Sequence, residues 1–184
     1  SLNGFEREGL NQDSKIIVEY ILNQSRLKDD KKAKILEFGC GAGRLSQWFL
    51  KDGYDYMAVE KSNSLIEKYK NNFSPETILP STLPLPFEDN SFDLVFTYSV
   101  LQYVDDIKSI LMELLRVSRK VVFLGDIEGY DHTQNYDQNL YKNANHNIIQ
   151  KDEIIKFLSD MNLTPNFTND YVYISTRYNC CIKV

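Results

Sequence analysis

Lys34-Ile35-Leu36-Glu37-Phe38-Gly39-Cys40-Gly41-Ala42-Gly43 decides the fold. Five residues with an apolar centre read as a short buried strand, and glycines then fall at every second position. Glycine lets a backbone turn tightly and approach a ligand closely. Helix signals resume at Arg44-Leu45-Ser46-Gln47-Trp48-Phe49-Leu50 and stop at the turn pair Asp52-Gly53. The loop therefore opens a helix, whose N-terminal amides favour negative groups. A dinucleotide site would prefer Gly-x-Gly-x-x-Gly, and here Arg44 stands at the third glycine, which argues against a nicotinamide-dependent oxidoreductase. The phosphate-binding pattern Gly-x-x-x-x-Gly-Lys-Ser/Thr is absent.

Outward from this block, strands and helices alternate. Residues 13–27 read as an amphipathic helix, 54–59 as a strand, 63–71 as a helix, 77–79 as a short strand and 92–98 as a strand. A helix over 107–117, a strand over 120–124 and a helix over 152–161 follow. Two strand-like runs, 164–168 and 171–184, close the chain with no helix between them. The order predicts an α/β, Rossmann-like sheet of seven mostly parallel strands, with helices on both faces and an antiparallel C-terminal pair. One domain, 1–184, is expected, with residues 1–30 as an N-terminal helical cap and 125–147 as a long polar loop on the acceptor side.

Composition narrows the class. The 184 residues hold 21 basic and 26 acidic side chains, a formal charge of −5, with 42 % hydrophobic and 26 % charged residues, as in a globular domain. The acidity argues against a nucleic-acid partner, which would call for a basic stripe. No apolar run reaches the roughly 18 residues of a membrane span. No basic region followed by an apolar block marks a secretory leader, so a cytoplasmic location is expected. The three cysteines, Cys40, Cys180 and Cys181, form no disulfide framework and no metal-ligand spacing. On a strand, the adjacent pair faces opposite ways, so at most one is expected in the core.

Two further features accompany the glycine loop. Glu60 ends the second predicted strand, 17 positions after Gly43. Ligands of open parallel sheets bind beyond the carboxyl ends of the strands, where a carboxylate accepts bonds from ribose hydroxyls; the alternative is that Glu60 caps the helix beginning near Ser62. The third feature is Leu83-Pro84-Leu85-Pro86-Phe87-Glu88-Asp89-Asn90-Ser91-Phe92-Asp93, a proline-rich turn, an acidic turn and Ser-Phe-Asp entering a strand.

With Glu37–Gly43 and Glu60, this stretch resembles the class I S-adenosylmethionine-dependent methyltransferases, in their small-molecule branch of Leu-Pro-Phe-x-Asp-x-Ser-Phe-Asp type. The likeness is firm over about residues 34–127. It implies S-adenosyl-L-methionine as cofactor and S-adenosyl-L-homocysteine as product. Gly39, Cys40, Gly41 and Gly43 would wrap the methionine part, with Glu37 near its amino group. Glu60 would hold the ribose, Lys61 and Ser62 would flank the adenine, and Tyr98, Ser99 and Gln102 would line the sulfonium end. The family commonly has an Asp that meets the adenine amine; here that position is Ser81, with Thr82 and Leu83 left to supply backbone contacts and an apolar wall. The run Tyr173-Ile174-Ser175-Thr176-Arg177-Tyr178-Asn179, with His146-Asn147-Ile148-Ile149 before it, is similar to a subgroup with Tyr-x-x-Ser-x-Arg-Phe-Asn-Val, associated with polysaccharide modification.

A general base serves a hydroxyl acceptor, and Asp126, His132 and His146 are the catalytic candidates, with Glu128, Tyr130 and Tyr136 nearby in sequence. Tyr130, Tyr136 and Tyr141 among Asn, Gln and Asp suit a small polar acceptor. A catalytically silent cofactor-binding or partner-binding domain of the same fold is the other class, favoured by Ser81.

Overall fold

The alternating apolar runs fold into one layered sheet. A computed structural model describes residues 8–129, 147–170 and 177–184, with side chains from residue 14 onward. Its elements are α1 (Glu8–Ser25), β1 (Lys34–Phe38), α2 (Ser46–Lys51), β2 (Asp55–Glu60), α3 (Asn63–Lys70), β3 (Ile78–Pro80), β4 (Phe92–Tyr98), α4 (Ile107–Val117), β5 (Ser118–Glu128), α5 (Lys151–Ser159), β6 (Pro165–Thr168) and β7 (Arg177–Lys183). Seven strands lie in the order β3-β2-β1-β4-β5-β7-β6. The first five are parallel, and β7 runs antiparallel between β5 and β6, as the alternation predicts.

All seven residues of β4 are buried, which is why its sequence shows no polar alternation: helices cover both faces. On one face, Ile17, Ile21, Phe49, Ile66 and Tyr69 from α1, α2 and α3 pack on Ile35, Phe96 and Phe123. On the other, Leu111, Leu114, Ile154 and Leu158 from α4 and α5 pack on Leu36, Val95 and Val122. Caps set the starts of the helices on the site side. Ser62 accepts the Leu65 N–H at α3, Asp106 accepts the Ser109 N–H at α4, and Gln150 with Glu153 forms a capping box at α5.

Several expectations change. Helix α1 packs from Ser14 onward as a layer helix, with Tyr20 edge-on to Phe123 at 6.1 Å and its hydroxyl bonded to Thr168, so the described part of the expected cap covers the sheet face. Strand β5 continues four residues past Leu124, so residues 125–128 belong to the sheet and not to the loop; pairing with β7 extends it. Both Cys180 and Cys181 are buried, one in each core layer, because the sheet is covered on both sides. No helix among the described residues is long and apolar enough to cross a membrane.

Candidate functional site

The parallel register Phe38↔Val59 sets the ends of β1 and β2 level, so the chain leaving β1 turns beside Glu60. Gly39 donates its N–H to Val59 O at 2.8 Å, and Cys40 shares that carbonyl at 3.3 Å. Gly39, Gly41 and Gly43 adopt φ of +79°, +60° and +90°, a region that side chains rarely enter. The three glycines serve different ends. A Cβ on Gly39 would stand 2.6 Å from Val100, and one on Gly43 2.5 Å from Phe73, so these two are required by packing. Of the three, Gly41 alone faces open space among the described residues, none of which has an atom within 4 Å of where its Cβ would be.

Glu60 joins this loop to the next helix. One carboxylate oxygen accepts the Gly41 N–H at 2.9 Å and the other accepts the Ser62 N–H at 2.8 Å, while the side chain is 8 % exposed. Glu60 therefore steadies the start of α3, as the capping alternative expects, and also reaches the glycine loop. An ionised carboxylate has about four lone-pair directions, so bonds to hydroxyls remain compatible with those two. Lys61 and Thr82 are exposed, Ser81 is half-buried, and Leu83 is 50 % exposed. The Ser81 N–H bonds to Glu60 O at 2.8 Å, which brings residues 81–83 alongside the acid.

Glu37 lies beneath the loop, buried. Its Oε2 accepts from Ser46 Oγ at 3.1 Å and from the Tyr56 hydroxyl, and burial lifts its carboxyl from the usual 4.5 to about 7 against the pull of those bonds and of Arg44. Tyr56 was not singled out from the sequence; the signal available was its place on β2, two residues short of level with Glu37 and so on the same face of the sheet. Cys40 is buried, and desolvation raises its thiol well above the ordinary range, so it acts as a small packing residue.

At the carboxyl ends of β4 and β5 the residues are strained and charged. Ser99 and Asp126 both have left-handed φ, +57° and +51°. Ser99 Oγ donates to Asp126 Oδ2, and the Ser99 N–H bonds to Gly125 O at 3.0 Å. Arg177 of β7 donates to Asp126 Oδ2 at 2.5 Å and approaches Glu128 at 3.5 Å; both acids are buried. Asp126, expected in the loop after the strand over 120–124, lies within β5: it occupies a break in the β5–β7 register, and its N–H donates to Asn179 Oδ1 at 2.9 Å. Arg177 and Asn179 were missed as site residues because β7 reaches this edge only through antiparallel pairing. Tyr98 is 7 % exposed, with its ring 6.0 Å from the Arg44 guanidinium. Gln102, in the helical turn that follows β4, is 1 % exposed, and its side-chain oxygen has no partner among the described residues. His132 and His146 lie outside the described residues, as do Tyr130, Tyr136 and Tyr141.

The donor set fits a nucleoside-bearing cofactor. Gly41 offers a cradle that a side chain would fill, Glu60 offers acceptor capacity, and Leu83, two residues after the Ser81 bond to Glu60 O, offers an exposed apolar side chain. Comparison with known proteins agrees. Residues 36–124 match the family described as "Methyltransferase domain". A malonyl-[acyl-carrier protein] O-methyltransferase of Hamiltonella defensa is 33 % identical over 92 residues, covering 50 % of this chain and 36 % of the relative. A ubiquinone biosynthesis O-methyltransferase of Rickettsia felis is 26 % identical over 125 residues, 62 % of this chain and 51 % of the relative. The chain thus spans about a third to a half of the curated relatives it matches.

Solved structures share the fold at low identity. Magnesium protoporphyrin IX methyltransferase from Synechocystis PCC 6803, solved with S-adenosylmethionine bound, gives a TM-score of 0.70 at 14 % identity over 95 % of this chain and 79 % of that one. The [4+2]-cyclase SpnF gives 0.71 at 12 % identity, over 98 % and 85 %. The seven-stranded fold is shared with these solved structures, and residues 36–124, which hold the glycine loop and Glu60, match a methyltransferase domain.

Proposed function

We propose that the protein transfers a methyl group from S-adenosylmethionine to an oxygen or nitrogen of a small polar molecule, with a sugar or polysaccharide precursor as the leading acceptor class. One observation carries the cofactor half: the open, left-handed Gly41 is tied through its N–H to Glu60, the acid at the end of β2. Gly39, Cys40, Gly41 and Gly43 would hold the methionine part, Glu37 would stand below its amino group, and Glu60 would take the ribose hydroxyls. Lys61, Ser81, Thr82 and Leu83 would surround the adenine, with Tyr98 and Gln102 toward the sulfonium.

The sulfonium supplies an activated methyl group, so the chain's own task is to orient two partners and exclude water. Asp126, His132 and His146 remain the proposed proton acceptors for a hydroxyl substrate. Asp126 is held by Ser99 and Arg177, an arrangement that suits a fixed hydrogen-bond acceptor for a substrate hydroxyl. The polar-acceptor reading draws on the charge of −5 and the tyrosines of the 125–147 segment. The relatives named above act on acyl-carrier and quinone substrates by their names, so acceptor chemistry varies among similar chains.

A second reading keeps the fold and drops the reaction, since the cyclase neighbour shows this architecture under another activity. Calorimetry with S-adenosylmethionine and S-adenosylhomocysteine, followed by label transfer to a panel of sugars, sugar nucleotides and acyl carriers, separates the two. Binding with transfer to a sugar supports the proposal. Binding without transfer to any acceptor supports the silent cofactor-binding domain, and no binding by either compound overturns the enzyme and leaves the partner-binding form of the second reading.

A further inference from the structure

The loop between β3 and β4 is gripped by one ion pair on α4. Glu113 and Arg116, one turn apart, bond each other twice, Nε to Oε2 at 3.0 Å and Nη2 to Oε1 at 2.5 Å. Both also reach the loop. Glu113 Oε1 accepts the Leu85 N–H at 2.7 Å. Arg116 Nη2 donates to Leu85 O at 3.1 Å, and Nη1 donates to Phe87 O at 2.9 Å and to Asp89 at 2.7 Å. A guanidinium has five N–H donors, and these five bonds use all of them. The Arg116 carbonyl then accepts the Asn90 N–H at 2.9 Å, where the chain turns through a left-handed residue.

The segment held in this way begins two residues after Leu83. At its other end, the Ser81 N–H is fastened to Glu60 O. Thr82 and Leu83 are therefore suspended between two anchors, the ribose acid on one side and the α4 pair on the other. Ser81 has no carboxylate to accept from an adenine amine. Recognition of the ring then falls to the loop backbone and the Leu83 side chain, groups whose positions follow the path of the chain from which they project.

We propose that Glu113 and Arg116 are positioning residues for the adenine half of the cofactor site, setting the path of residues 81–89 so that the loop meets the ring. This rests on the cofactor reading above. The pair itself touches no ligand. A purely structural pair would change stability and leave ligand discrimination as it was. The positioning role predicts a loss that follows the adenine ring.

The test is calorimetric titration of the whole chain with S-adenosylhomocysteine and with S-inosylhomocysteine, which differ only in the base. Wild type is expected to prefer the adenine compound. Arg116→Ala is expected to weaken S-adenosylhomocysteine by about tenfold and S-inosylhomocysteine by much less, narrowing the ratio between them. Glu113→Gln keeps the shape and loses the charge; it is expected to narrow the ratio by roughly threefold, and it decides the matter if Arg116→Ala does not fold. Folded variants that keep the wild-type ratio overturn the positioning role, whether or not their stability falls. Wild type that binds neither compound overturns the cofactor reading itself, a result visible before any substitution is made.

Discussion

The Glu60 carboxylate accepts the Gly41 N–H at 2.9 Å, so the acid that ends β2 and the middle of the glycine loop form one unit. This bond crosses 19 positions of sequence and exists only because β1 and β2 lie side by side in parallel register. It ties the middle of the loop to the end of β2, beside the start of α3 that the other Glu60 oxygen holds.

Glu60→Ala removes that bond and the bond to Ser62. The expected stability loss is about 1–3 kcal/mol, since each exchanges a charge-assisted bond for water. Affinity for S-adenosylhomocysteine should fall further, by more than about tenfold, because the proposed ribose acceptor goes as well. Urea unfolding and calorimetry on the same preparation measure the two separately. Full affinity in the variant would remove Glu60 from the site.

The glycines should respond in opposite ways. Gly43→Ala places a Cβ against Phe73 and Tyr69, at a φ of +90°, and is expected to cost about 2–4 kcal/mol of stability. Gly41→Ala meets no atom, so its stability cost is limited to roughly 1 kcal/mol of left-handed strain. Its effect on ligand binding should be the larger of the two. Thermal melts with and without S-adenosylhomocysteine distinguish them: a Gly41 variant with a normal ligand-induced rise in Tm would show that the open side of the loop is not the cradle.

Burial raises Glu37 from 4.5 to about 7, which fixes the sign of a pH effect. Below about pH 4.5 both the folded and unfolded chains carry the proton; between pH 4.5 and 7 only the folded chain does. Stability from this group is therefore fully present below pH 4.5 and is lost as pH rises through 7, by on the order of 3 kcal/mol. Glu37→Gln keeps acceptors for Ser46 and Tyr56 and cannot ionise. Denaturation at pH 5, 6, 7 and 8 should show that this component of the slope is absent from the variant; identical slopes would mean that Glu37 is ionised throughout.

Arg177→Ala is expected to be the most damaging single change at the acceptor edge. It leaves Asp126 and Glu128, both buried, without the guanidinium that they share, at a cost of about 3–5 kcal/mol. Asp126→Asn keeps an oxygen for Ser99 and should cost less. Chemical denaturation of both variants checks the order, and equal costs would show that the ion pair adds nothing beyond its hydrogen bonds.

Much of the frame was legible in the sequence. Strands 34–38 and 92–98 and the helix over 107–117 fall where the apolar runs place them, because their residues are buried by short-range pattern alone. The glycine spacing and Glu60 were legible for a similar reason, since each needs only a strand end and the residue after it. The end of β5 was not. Gly125-Asp126-Ile127-Glu128 reads as a polar turn, and it becomes strand because β7, some 50 residues later, supplies Arg177, Tyr178 and Asn179 to pair with it and to neutralise its acids.

The order of strands and helices thus determined the fold from local sequence, and the three glycines with the acid at the end of β2 marked the candidate cofactor loop. Tertiary structure alone decided that Gly41 is open while Gly39 and Gly43 are packed, that Glu37 is sealed beneath the loop by Ser46 and Tyr56, and that Arg177 closes on Asp126. Local features follow from the propensities and spacing of neighbouring residues. The others depend on which distant side chains arrive at the same place, and that is set only when the sheet assembles.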